Sequence, residues 1–197
     1  MVASFFYGTL MHPKILKLVI QNDASHLEIC AAVGALTGED YPAVVPYDKG
    51  RTLFDHELSD EDRCVRGMLL RGLTARDIAR LDAFEDDEYI RQELPVHPLT
   101  PFATVRGDGE ISGSDADAAI PSTPPHLPDT LAEPVQAHVY VWLDISRLEA
   151  ELWSYEDFVK HNAHKWYGDG TEVAEEELSE RRRKLLEEER GSVQVNA

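Results

Sequence analysis

The chain has 197 residues, with 37 acidic against 19 basic side chains and a formal net charge of -18. That length suits one hydrophobic core with appendages, and the charge argues against DNA, RNA or an anionic membrane as partner, because such polyanions are gripped by clustered Lys and Arg. The two cysteines, Cys30 and Cys64, have no CxxC spacing, which excludes a disulfide framework or a cysteine zinc site and fits a reducing compartment, the cytoplasm with the nucleus as a second place.

The first residues carry no basic stretch ahead of an apolar run, and no apolar run reaches about 18 residues, so neither secretion nor a membrane-spanning helix is expected. Val2 to Tyr7 is β-branched and aromatic and reads as a strand, broken by Gly8-Thr9-Leu10. Pro13 suits the first turn of a helix whose apolar positions Ile15, Leu16, Val19 and Ile20 recur at helical spacing. Leu27–Leu36 and Val65–Leu70 read as further strands, with Gly34, Gly38 and Gly67 as bulges or close backbone approaches. Thr74 with Asp77 three residues on forms a capping-box pattern, and Leu73 with Ile78 a hydrophobic staple, so a helix is expected from Ala75. Tyr89–His97 reads as a strand in which Pro95 marks an edge or an end, and Val135–Leu143 as another strand.

Between these two strands, about 100–134, Pro, Ser, Asp, Gly and Ala dominate, and a tract so poor in large apolar residues cannot offset the entropy of ordering by burial. It is expected as a mobile insertion or a lid. Beyond Leu143 the composition predicts helices over Arg147–Leu152, Tyr155–Ala163 and Glu172–Arg190, the last charged, with i,i+4 pairs and a thin apolar line. The expected division is one domain over 1–170 and a charged helix and tail over 171–197.

The capped helix sets the register of its own downstream end. At about 100 degrees per residue, Ile78, Leu81 and Glu85 share one arc with Asp82 on its flank. A carboxylate on that arc is desolvated, and desolvation raises its pKa toward the value of a useful general acid or base. On register alone, Glu85 and Asp82 both qualify. The opening segment offers the complement, since a strand ending in Tyr-Gly-Thr leaves consecutive backbone N–H groups near a helix start, where they hold a carboxylate or an oxyanion.

Phe5-Phe6-Tyr7-Gly8-Thr9-Leu10-Met11, Tyr41-Pro42-Ala43-Val44, Val65-Arg66-Gly67-Met68-Leu69, Leu81-Asp82-Ala83-Phe84-Glu85 with Tyr89 and Arg91 after it, and Val139-Tyr140-Val141-Trp142 occur in that order. Together they resemble the gamma-glutamylcyclotransferase-like family, in its plant and fungal avirulence-induced-gene branch, from about Val2 to Phe158 without the insertion. The resemblance implies an α+β fold, a small mixed β-barrel with flanking helices. It implies that the loop of Tyr7, Gly8, Thr9, Leu10, Met11 and His12 grips the substrate and that Glu85, rather than Asp82, is the catalytic acid/base. It also implies release of 5-oxoproline from a γ-glutamyl amine or amino acid, with no metal and no cofactor. Tyr89 is a candidate substrate contact, and Arg91 is expected to pair structurally with an acid. The long insertion and the charged tail depart from the family's compact form and leave substrate access and the oligomeric state undetermined.

Other patterns carry less chemistry. His161 and His164, with His138, lack the Glu or Cys of a zinc arrangement and read as surface residues. Trp142, Trp153, Phe158 and Trp166 read as packing residues. The alternative function on the same fold is a non-catalytic module that binds a small ligand or recruits a protein.

Overall fold

The computed structural model describes residues 3–34, 52, 54, 55, 57, 59, 64–85, 89–105, 127–142, 144, 148–153, 155–167 and 193–196. In chain order the elements are β1 (Ala3–Phe6), a single 3-10 turn (Thr9–Met11), α1 (Pro13–Ile20), β2 (Glu28–Gly34), β3 (Val65–Arg71) and α2 (Ala75–Glu85). Then come β4 (Tyr89–Pro98), β5 (Ala103–Thr104), β6 (Val135–Trp142), β7 (Leu148–Trp153), α3 (Tyr155–His161), α4 (His164–Tyr167) and β8 (Val193–Asn196). Among the described residues no helix is long and apolar enough to cross a membrane.

Five strands close on themselves. Their order is β3-β1-β6-β4-β2, and β2 pairs back onto β3, with β5 appended to β2. The β1–β6 pairing is parallel and the other four barrel pairings are antiparallel. Alternation along the strands separates two apolar layers. Phe5, Tyr7, Cys30, Ala32, Leu69, Val96, Val139 and Val141 form one cluster that draws on no helix, which makes it the barrel interior. The opposite face, with Phe6, Ile29, Met68, Leu70 and Tyr140, packs against Ile15, Leu16 and Ile20 of α1, Leu81 of α2 and Phe158 and Trp166 of α3 and α4.

The close approach expected at Gly67 is real: a Cβ there would lie 2.2 Å from the Phe6 carbonyl oxygen and 2.7 Å from the Phe5 ring. Gly34 needs no bulge, because the β2–β3 register runs unbroken from Glu28↔Arg71 to Gly34↔Val65. Gly38 lies outside the described residues.

The expected cap of α2 forms in full. Thr74 N–H and Oγ1 donate to Asp77 Oδ2 at 2.8 and 2.7 Å, and Asp77 N–H returns to Thr74 Oγ1 at 3.2 Å. Asp77 is only 1% exposed, and it also accepts Asn22 Nδ2 at 2.8 Å and faces His26 Nε2 at 3.1 Å. Burial alone would push its carboxyl up, but the bonds from Thr74, His26 and Asn22 outweigh it and hold the group below its ordinary value. One side chain therefore caps α2 and ties it to the connection between α1 and β2. Arg80 adds a second tie, donating to the Ile20 carbonyl and to Gln21 Oε1.

Four sequence expectations change. In place of the helix expected over Arg147–Leu152, the described residues Leu148–Trp153 form a strand, β7, parallel to β8. Leu, Glu and Ala favour helices individually, but in Leu-Glu-Ala-Glu-Leu apolar and acidic residues alternate, which is the two-residue period of a strand. The helix expected over Tyr155–Ala163 stops short, α3 ending at His161, and a separate helix, α4, begins at His164. The tract given to the insertion opens with structure: Ala103 and Thr104 pair with Ile29 and Glu28, and Val105 is buried. Finally, β4 lies between β6 and β2, so the edge expected from Pro95 holds only locally. Residues 89–96 register with β6, and the pairing with β2 is at His97 and Pro98, so Pro95 lies where a missing N–H breaks no pairing with β2. The predicted helix Glu172–Arg190 lies outside the described residues.

Candidate active site

β1 enters the site with Phe5 and Phe6 buried on opposite faces. Its direction ends at Tyr7, whose buried phenol donates to the Tyr140 carbonyl on β6. Gly8 (φ -132°, ψ -140°) precedes the 3-10 turn, in which Met11 N–H bonds Gly8 O at 2.9 Å and His12 N–H bonds Thr9 O at 3.1 Å. Leu10 and Met11 are 3% and 8% exposed and join the helix-side core, so their side chains anchor the turn. His12 caps α1 ahead of Pro13. Burial, helped by the Lys14 charge, lowers its imidazole to about 4, so this ring is neutral at cellular pH.

The carboxylate half comes from the last turn of α2. Leu81 is fully buried, Ile78 and Phe84 pack on the same core, and Phe84 meets the Trp166 ring at 5.8 Å. These anchors turn Glu85, half-buried, toward the β1–β6 side of the barrel. Its charge bears on two phenols. Tyr7 is raised well above the ordinary tyrosine value by burial first, then by Tyr89 and Glu85. Tyr140 is raised by burial, by its bond to Asp82 and by the Asp82 and Glu85 charges, against the opposing pull of Arg91. Both phenols therefore stay protonated donors beside Glu85.

Asp82 accepts the Tyr140 hydroxyl at 2.8 Å and lies 3.0 Å from Arg91 Nη1, so Arg91 pairs with an acid. Tyr89 is half-buried, its ring edge-on to Trp142 at 4.9 Å. The structure thus gathers Tyr7, Tyr89 and Glu85, with the Gly8 turn continuing from Tyr7. Sequence reasoning missed Tyr140. Its signal was a tyrosine on the helix-covered face of a strand, where a phenol needs a polar partner. Asp86, Asp87 and Glu88 lie outside the described residues. Among those described, no three His, Cys, Asp or Glu side chains converge as metal ligands.

Residues 4–111, more than half of the chain, match the family described as gamma-glutamyl cyclotransferase, AIG2-like. AIG2-like protein C of Arabidopsis thaliana is 28% identical over 97 residues, 47% of this chain and 48% of that protein, so the chain spans about half the length of the curated relative it matches. Among solved structures, that of an Arabidopsis thaliana protein superposes with a TM-score of 0.44 at 19% identity, covering 96% of this chain and 84% of that one. A yeast gamma-glutamyl cyclotransferase specific to glutathione gives 0.35 at 13% identity, covering 72% and 68%.

Proposed function

This chain belongs to the gamma-glutamyl cyclotransferase, AIG2-like family, and from that premise we propose that it is a cyclotransferase releasing 5-oxoproline from a γ-glutamyl amine or amino acid, with Glu85 as general base and acid. The observation that carries the reading is the Glu85 carboxylate, half-buried on the last turn of α2 and close enough to Tyr7 and Tyr140 for its charge to act on both phenols.

In the proposed reaction Glu85 takes a proton from the substrate's α-ammonium group. The freed amine attacks its own γ-carbonyl carbon, forming the ring C–N bond. Glu85 passes its proton to the leaving nitrogen and takes the second proton that the ring nitrogen must lose. The amide C–N bond breaks, that proton follows, and the amine departs as an ammonium carrying both protons given up by the α-ammonium group. No water is consumed and no electron changes hands. Attack within one molecule removes most of the positional entropy, so the site's task is to hold the glutamyl arm folded. Backbone N–H groups of the Gly8 turn suit the oxyanion or the α-carboxylate, while Tyr7, its hydroxyl donated to the Tyr140 carbonyl, offers a neutral ring beside them. Tyr89, with its ring set against Trp142, suits the flank of the glutamyl chain. A neutral His12 adds a polar wall without charge.

The test is incubation of the purified chain with γ-glutamyl amino acids, glutathione and a γ-glutamyl alkylamine, with 5-oxoproline measured directly. Turnover that disappears in Glu85→Gln supports the reading. Wild-type turnover in that variant, or no 5-oxoproline from any of these compounds, overturns it.

A further inference from the structure

Asp82 stands one turn before Glu85 and uses both carboxylate oxygens. Oδ1 accepts the Tyr140 hydroxyl at 2.8 Å and Oδ2 takes Arg91 Nη1 at 3.0 Å. Tyr140 and Arg91 are direct partners in the β6–β4 register, so they rise side by side from adjacent strands on one face of the sheet. One carboxylate therefore fastens the end of a helix across two strands.

Its side chain is 43% exposed and that of Arg91 31%, and ion pairs at such exposure add at most about 1 kcal/mol to global stability. What the contact controls is local. The final turn of a helix is where winding is lost first, and this turn carries Glu85 at the i,i+3 position, a direct neighbour on the helix surface.

We propose that Asp82 is a positioning residue for Glu85: held by Tyr140 and Arg91, it keeps the last turn of α2 wound against β4 and β6 and holds the Glu85 carboxylate against the phenols of Tyr7 and Tyr140. The inference rests on the reading of Glu85 as general base. It has an electrostatic side as well. The Glu85 charge reaches Tyr7 at the end of β1 and Tyr140 of β6; Tyr89 of β4 acts on the same Tyr7, Arg91 of β4 and Asp82 of α2 act on the same Tyr140, and α4 contributes the Trp166 ring against Phe84. Paired with Arg91, Asp82 presents Glu85 with a neutral couple instead of a second anion.

Breaking the couple from either side has opposite consequences. Asp82→Asn leaves the Arg91 cation alone, which favours ionised Glu85 and moves the acid limb of the kcat profile to lower pH. Arg91→Met leaves the Asp82 anion alone and moves that limb to higher pH. Each shift is expected at about half a pH unit, alongside a roughly tenfold fall in kcat with KM held within about twofold. Tyr140→Phe removes the other arm without altering charge, so kcat falls and the limb stays in place. The opposed shifts report the electrostatic side, and the fall in kcat with an unmoved limb in the charge-neutral Tyr140→Phe reports the positioning.

The same titration is read without turnover from carbon-13-labelled glutamate, with the Glu85 signal assigned by its loss in Glu85→Gln. Opposite movements in Asp82→Asn and Arg91→Met support the inference. Wild-type kcat and titration in both, or movement in the same direction, overturns it. If Asp82→Asn does not fold, Arg91→Met and Tyr140→Phe decide the matter by the same criteria: a raised limb and an unmoved one support it, and wild-type kcat in both overturns it. An inactive Glu85→Gln beside a wild-type Asp82→Asn removes only the positioning role, whereas an active Glu85→Gln removes the general-base reading itself.

Discussion

Asp77 and Glu85 are carboxylates at opposite ends of one helix, and they have opposite surroundings. Asp77 is 1% exposed, with its oxygens occupied by Thr74, Asn22 and His26. Those bonds hold it ionised and leave it nothing further to do. Glu85 is half-buried beside two protonated phenols and a second carboxylate. A carboxylate saturated by donors is a structural anchor, whereas the proposed general base stands half-buried at a helix end. Burial alone does not separate the two roles, because the more buried acid is the inert one.

The sharpest break of this contrast is activity against stability. Glu85→Gln is expected to lower 5-oxoproline release by at least about a hundredfold while the melting temperature stays close to wild type, as thermal unfolding by circular dichroism will show. Asp77→Ala should do the reverse. Four donor groups lose their acceptor, stability falls by about 3 kcal/mol, or roughly 6 to 12 °C in Tm, and the folded fraction keeps its turnover. The Asp77 contribution has a fixed sign with pH. Its folded pKa lies below the unfolded one, so the stabilisation is present above the unfolded value near 3.9 and is lost as pH falls through the folded value. Acid unfolding of Asp77→Asn should lack that component.

His12 provides a smaller test at the glycine turn. Its pKa is lowered from 6.5 to about 4, so between those values the unfolded chain binds the extra proton and stability declines as the solution is acidified. His12→Gln should flatten the stability profile between pH 6.5 and 4, measured by urea unfolding at stepped pH. The smallest effect concerns Ser4, the other buried polar residue among those described. Its hydroxyl is 1% exposed and has no hydrogen-bond partner, and neither does Nδ1 of His138, its register neighbour on β6. Ser4→Ala should leave Tm unchanged or raise it by about 1 °C, because it removes an unmet polar group and little volume. A fall of several degrees would show that this hydroxyl has a partner such as a buried water.

What was legible in the sequence follows from how far each signal reaches along the chain. The Thr74–Asp77 cap is written within four residues, and it fixed the phase that carries Leu81 inward and Glu85 onto the same side. The pairing of Arg91 with an acid followed from motif order. Asp77 also holds Asn22 and His26, and Tyr140 serves both Tyr7 and Asp82, but these partners meet only once the barrel closes, so no local pattern announces them. The strand Leu148–Trp153 was misread because residue preference outvoted a two-residue alternation. Ala103 and Thr104 were lost inside a tract judged by its composition, since two paired residues hardly alter an average.

The parallel seam between β1 and β6 has a consequence for biosynthesis. It joins Ser4 and Phe5 to His138 and Val139, among the most widely separated neighbours in the sheet. A nascent chain that has cleared the ribosome through α2 already owns the glycine bend and Glu85, yet it lacks the strand that seats Tyr7 and receives Asp82. Assembly of the candidate site must wait for residues 135–142 to emerge. Until then the half-built sheet exposes one flank of β1, so the interval before β6 docks is when a chaperone would find the most to hold.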